Sequence, residues 1–250
     1  VEAQPMGPEA SDLTLNEQLF AALRTQDLAT VESLLEAGAN VNAIQSTPFN
    51  DLSPLGIAAS GGNVDLVELL IQHGAEIEGA GAQLPLGLAV EAGDVAVVES
   101  LLDAGADVNA TTPLRGGMDD RLSVLGLATT RYHVEVARLL LERGADANHI
   151  DTSELTALHR ASREFDSPEF VALLLEYGAD PNIQGLGGGT ALHGAVRNDS
   201  LEIVVLLVEG GADVNIRNDK GDAPLDLLGT PSKANSEEIR QILLDAGAEE

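Results

Sequence analysis

One short signal closes segment after segment of this 250-residue chain: glycine, alanine, a small acid or asparagine, a variable residue, asparagine. It stands at Gly38 (GANVN), Gly105 (GADVN), Gly144 (GADAN), Gly178 (GADPN) and Gly211 (GADVN), with a variant at Gly74 (GAEIE) and a shortened copy at Gly247 (GAEE). Successive glycines lie 36, 31, 39, 34, 33 and 36 residues apart. An opening signal keeps step with it: SPLGIA from Ser53, LPLGLA from Leu84, SVLGLA from Ser123, TALHRA from Thr156, TALHGA from Thr190 and APLDLL from Ala223. Two motifs recurring in register imply a stack of similar units rather than one conventional core.

The stretch Thr190–Asn215 shows what a unit is. Thr190 is placed to cap a first helix, along which Leu192, Ala195 and Val196 recur at i, i+3 and i+4 as one apolar face. Asn198, Asp199 and Ser200 break it, and Ile203, Val204, Leu207 and Val208 make a second face, ended by Gly210 and Gly211. Each helix is shorter than the ~12–15 residues at which an isolated helix is even marginal. Such a hairpin needs neighbours on both sides.

This pair of anchors at a period near 33 resembles the ankyrin repeat family, whose signature is T-P-L-H-x-A followed by a second helix. The resemblance covers roughly residues 13–250. It implies an all-α solenoid of stacked helix–turn–helix units with short β-turn or hairpin tips. Residues 1–12 read as a mobile tail, 13–42 as an N-terminal capping repeat, 43–215 as five repeats and 216–250 as a C-terminal capping repeat. Insertions fall at the joints, over Ile44–Leu52, Ala110–Leu122 and Gly229–Ser236. The Ala110–Leu122 insert, with Pro113, Gly116 and Gly117, is expected to be an exposed, mobile finger that proteases cut first at Arg115 or Arg121. The resemblance further implies that His159 and His193 are structural histidines bonding across neighbouring turns. Gly56, Gly87, Gly126 and Asp226 stand in that place elsewhere. Glycine inside a helix costs about 1 kcal/mol relative to alanine, which predicts a less rigid N-terminal half.

The chain has no cysteine, which excludes disulfides, thiolate zinc sites and cysteine nucleophiles. No apolar run approaches the ~18 residues of a membrane span. The first residue is Val1, which suggests that a segment was removed and leaves a cytoplasmic or an exported, periplasmic location open for a soluble protein.

The sequence offers no active site. None of the five histidines pairs with another at i, i+3 or i+4, and there is no H-E-x-x-H or G-x-S-x-G. The run Gly185–Gly189 lacks the Lys-Ser/Thr of a phosphate loop and reads as a flexible turn tip. Asn218–Gly221 lacks the bidentate glutamate of a calcium loop. The chain is therefore expected to be non-enzymatic, without cofactor or metal.

Its formal charge of −28 disfavours nucleic acid and anionic membranes. The charge is unevenly spread: residues 1–114 carry −16, residues 115–163 carry zero and residues 164–250 carry −12. More than half of the basic residues therefore crowd into one-fifth of the chain. Arg131, Arg160, Arg163 and Arg197 fall near the ends of inner helices, with Tyr132 beside Arg131 and with Arg115 and Arg121 in the insert. In the family the residues after the T-P-L-H core face the concave side, so these seven are the candidate partner-binding residues. Solvated filler at variable positions is the competing interpretation of the arginines. The resemblance implies a monomeric protein-interaction scaffold that binds another protein on the concave face and turn tips. An acidic decoy for a strongly basic protein is the alternative.

Overall fold

The computed structural model describes residues 13–46, 51–79, 84–113, 121–163, 167–228 and 234–249. Residues 1–12, the tip of the long insert at 114–120 and the link residues 229–233 lie outside that set. Contacts divide the chain into two compact units, Val1–Asp107 and Val108–Glu250.

In the first unit the helices come in pairs, α1 (Leu15–Thr25) with α2 (Leu28–Glu36), α3 (Pro54–Ser60) with α4 (Val64–Gln72), and α5 (Pro85–Ala92) with α6 (Val95–Asp103). The inner helices α1, α3 and α5 form one row and the outer helices α2, α4 and α6 a second. The repeating apolar positions lie between the rows: Leu19 and Leu23, Leu55 and Ala59, Leu86 and Val90 from the inner helices, and Leu66, Val67 and Leu70 from an outer one. Polar caps start the helices. The Thr14 hydroxyl accepts from the Glu17 N–H while the Glu17 carboxylate accepts from the Thr14 N–H, and Asp27, Asn63 and Asp94 cap the three outer helices. Two-residue strands β1 (Gln45–Ser46) and β2 (Asp51–Leu52) pair antiparallel at the base of the Ile44–Leu52 insert.

The second unit opens on the long insert. Strands β3 (Thr111–Pro113) and β4 (Arg121–Ser123) pair antiparallel, Thr112 opposite Leu122. The base of this insert is not the exposed finger expected. Leu122 and Thr112 are buried, and Arg121 is turned back on its own hairpin, donating to the Thr111 hydroxyl and carbonyl. Pairs α7 (Val124–Arg131) and α8 (Val134–Glu142), α9 (Ala157–Arg163) and α10 (Pro168–Glu176), α11 (Ala191–Asn198) and α12 (Leu201–Glu209) follow, and α13 (Ser236–Asp245) packs on α12. The last opening signal gives only a 3-10 turn, Pro224–Leu227, where the repeat calls for an inner helix. Gly229-Thr230-Pro231 comes directly after, and proline neither donates its own N–H nor favours helical backbone before it.

The closing motif has a physical cause. Each closing glycine has φ between 82° and 97°, the left-handed conformation that ends a helix without strain only at glycine. The asparagine that follows reaches forward to the next unit. Asn182 donates to the Gly211 carbonyl at 3.1 Å and accepts from the Asp213 N–H at 2.7 Å. Asn42, Asn148 and Asn215 make the same two bonds to Gly74 and Glu76, to Gly178 and Asp180, and to Gly247 and Glu249. In the variant GAEIE, Glu78 takes the asparagine's place and accepts from the Asp107 N–H at 2.9 Å.

A second link runs from the turn inside three of the hairpins. Gln26, Tyr132 and Asp199 hold left-handed backbone although they are not glycine. Each side chain bonds to the following unit: Gln26 to the Gly61 carbonyl, Tyr132 Oη to the Ser167 hydroxyl, and the Asp199 carboxylate to the Asn235 N–H.

Candidate functional site

Helix phase decides where the candidate arginines go. Counted from the capping residues Ser123, Thr156 and Thr190, Arg160 is equivalent to Leu127 and Gly194, and Arg163 to Thr130 and Arg197. Leu127 and Gly194 are buried, and Arg160 with them at 6% exposure. Its guanidinium pairs with Asp151 through Nε at 3.0 Å and Nη2 at 2.5 Å, and the carboxylate also accepts from the Ser153 and Leu155 N–H groups. The expectation that Arg160 faces a partner is therefore corrected: its guanidinium is an internal brace for the turn before α9. Replacing it would cost stability as well as charge.

Arg163 and Arg197 are exposed and line one groove. Arg163 lies across α11 because residue 194 is glycine: a Cβ there would sit 3.0 Å from the Arg163 Cβ. Arg131 is one residue out of this phase, half-buried on the last turn of α7, and is not part of the groove. Tyr132 is 51% exposed, with its ring edge-on to Phe170 at 5.6 Å. Arg121 belongs to the hairpin base, and Arg115 lies outside the described residues.

The groove encloses about 270 Å³ between α9, α11 and the turns at 185–191 and 218–222. Leu186 projects beside it, 60% exposed. Its backbone is held. The Leu186 N–H donates to the Glu154 carbonyl, the Asp219 N–H to the Gly187 carbonyl, and the Gln184 amide to the Gly188 carbonyl. The glycine run expected to be a flexible tip is thus a clamped 3-10 turn. Lys220 adds a third cation, and Asp222 is the one carboxylate among the lining residues. Neither Lys220 nor Leu186 was a candidate from sequence. The signal for Leu186 was a lone large apolar residue inside a glycine run.

The two histidines form the floor. His159 Nδ1 accepts from the Thr156 N–H and Nε2 meets the Gly189 carbonyl at 3.1 Å; His193 repeats the pattern with Thr190 and the Asp222 carbonyl, also at 3.1 Å. A proton on Nε2 of a neutral ring satisfies all of these bonds. Burial pushes both imidazoles below the usual histidine range, with Arg163 acting in the same direction on His159 and Arg197 on His193. Both ring nitrogens are committed, Nδ1 to the cap of its own helix and Nε2 to the turn of the next repeat. Among the described residues no group of three or more His, Cys, Asp or Glu side chains is placed to hold a metal.

A family model of ankyrin repeats in three copies matches residues 19–112 and 114–185, and a second ankyrin repeat model matches residues 174–228. The chain belongs to the ankyrin repeat family. An ankyrin repeat protein of fowlpox virus (strain NVSL), FPV031, is 45% identical over 84 residues, covering 32% of this chain and 24% of the viral protein. The match thus spans about a quarter of that relative's length. Among solved structures, the ankyrin repeat domain of Bcl-3, a member of the IkappaB protein family, superposes with a TM-score of 0.77 at 29% identity over 91% of this chain and 97% of Bcl-3's. The human ASB11 ankyrin repeat domain gives 0.74 at 28% identity, over 93% and 98% of the two chains. The His159 and His193 bonds are those that the ankyrin signature implies. Among the described residues no helix is long and apolar enough to cross a membrane.

Proposed function

We propose that this chain is a non-enzymatic scaffold that binds a partner protein through the inner-helix and turn-tip side of its second unit. One observation carries the reading. In a chain of net charge −28, that side gathers Arg163, Arg197 and Lys220 around a groove with an exposed leucine at its edge. Exposed cations beside a rigid apolar anchor are features that protein partners use, whereas the two perturbed histidines are spent on the fold. Tyr132 and Arg131 extend the contact along the same unit, whereas Arg121 is engaged within its own hairpin and Arg115 lies outside the described residues. The chain acts as a monomer and binds neither nucleic acid nor membrane. Capture from the native organism by the immobilised chain tests this, with Arg163→Ala/Arg197→Ala as the comparison. The double variant is expected to lose a partner that the parent retains; equal capture by both defeats the assignment to this face.

The alternative, an acidic decoy for a basic protein, draws on the first unit, which carries −16 with Arg24 as its one basic side chain. A salt titration separates the two. Decoy binding falls steeply as screening rises, because it rests on diffuse charge.

A further inference from the structure

We infer that the groove between α9, α11 and the 185–191 turn recognises a short acidic peptide segment in which an aliphatic side chain stands next to carboxylates. The inference rests on the scaffold reading and narrows it to one ligand chemistry and one place.

Size comes first. At about 270 Å³ the groove is smaller than the roughly 300–1,000 Å³ of small-molecule and cofactor sites. It suits one or two side chains of a longer segment. Charge comes second. Arg163, Arg197 and Lys220 against Asp222 leave the lining net positive, while the first unit carries −16. Arginine's planar fork takes a carboxylate bidentately and lysine adds a mobile point charge. An acidic segment is therefore attracted here and repelled from most of the remaining surface, which sets where it lands.

The third element is Leu186. The turn that presents it is pinned to Glu154 on one side and Asp219 on the other, so little order remains to be imposed on binding. Leu155 and Leu227 lie within the same lining. An aliphatic side chain lowered between them leaves its flanking carboxylates beside Arg163 and Lys220. Gly194 leaves room for Arg163 there, because it offers no side chain to displace it.

The test uses the full chain and a fluorescein-labelled peptide, Glu-Glu-Leu-Glu-Glu, followed by fluorescence anisotropy. The expected result is about tenfold tighter binding than the same peptide with glutamine for each glutamate, the sum of several weak exposed pairs. Arg163→Gln/Lys220→Gln is expected to remove about five- to tenfold of the affinity. Leu186→Ser, and serine for leucine in the peptide, each remove about threefold. Arg138→Gln, on the outer helix α8 and paired with Glu135, changes nothing. Equal binding of the acidic and glutamine peptides overturns the proposal. So does displacement of the acidic peptide by inorganic phosphate at similar concentration, which would mark a general anion site. If capture of a native partner persists in Arg163→Gln/Lys220→Gln, this groove is not the contact, yet the scaffold reading stands. If the parent chain captures no partner while the peptide preference holds, the scaffold reading falls and the groove remains.

Discussion

The repeats that carry histidine and those that carry glycine solve the same joint in opposite ways. In α9 and α11 an imidazole ties the capping threonine to a carbonyl of the next turn, a directional polar link buried from water. In α3 and α7 the serine hydroxyl alone caps the glycine N–H, and apolar atoms take up the room. A Cβ at Gly56 would meet the Leu88 side chain at 3.2 Å, and one at Gly126 would have Leu122 within 3.7 Å. The comparison teaches that the joint tolerates either a hydrogen bond or close packing. Only the first makes stability depend on proton uptake.

The largest expected effect comes from the brace beside the histidine repeats. Arg160→Ala leaves the buried Asp151 carboxylate without its counter-charge and is expected to destabilise by about 3–5 kcal/mol in denaturant unfolding. Leucine already occupies the equivalent position at 127. Arg160→Leu with Asp151→Asn is therefore expected to recover much of the loss, and failure to do so would show that the apolar solution is not transferable.

His193→Ala removes the partner of the half-buried Asp222 carbonyl and of the buried Thr190, for a loss of about 1–3 kcal/mol. The same histidines set a pH window. Their folded pKa values lie below the usual histidine value of 6.5, so the unfolded chain binds these protons first as pH falls. Their contribution is complete above about pH 7 and declines as pH drops below 6.5 toward the folded values. Falling pH also relieves repulsion among the many carboxylates, which acts oppositely over the whole chain. The diagnostic is thus the difference between repeats. Hydrogen exchange is expected to accelerate in α9 and α11 relative to α3 and α5 on going from about pH 7.5 to 5.5. Uniform change across the repeats would remove the histidines as its cause.

At neutral pH the glycine-bearing repeats are expected to exchange before the histidine-bearing ones, because repeat arrays open in pieces. Greater protection over α3 and α5 would mean that close packing is the stronger joint. The smallest effect separates two glycines. Gly126→Ala should recover part of the ~1 kcal/mol of helix propensity, with the Ser123 hydroxyl at 3.3 Å as its tightest neighbour. Gly56→Ala should recover less, since Leu88 must move first. Equal gains at both positions would show that Leu88 yields freely.

The sequence made much of this legible, because repetition turns one weak pattern into many. Most helix pairs and buried faces fall where period and phase placed them, Val31, Leu34 and Leu35 of α2 among them, while the last inner helix is only a 3-10 turn and Leu15 is exposed. What escaped depended on partners far along the chain or on a single step of helix phase. Arg160 and Arg163 are both near an inner-helix end, yet three residues separate a buried side chain from an exposed one. The buried neighbours Leu127 and Gly194 were visible as equivalents, whereas the pairing with Asp151 across a turn was not. Lys220 and Leu186 line one groove because two successive turns are hydrogen-bonded side by side.

Asn42, Asn148, Asn182 and Asn215 each give both bonds to the unit that follows, so the joinery has a direction. One unit's requirement of the next is only a backbone carbonyl at glycine and an N–H two residues on, which any copy of the motif supplies. Excising residues 149–182 would bring Asn148 against Gly211 and Asp213, equivalents of the Gly178 and Asp180 that it holds now. Length in this molecule is therefore a countable quantity, open to gain or loss by whole units without redesign of the seam. Glu78, an acceptor with no amide to donate, is the seam where that interchangeability is broken.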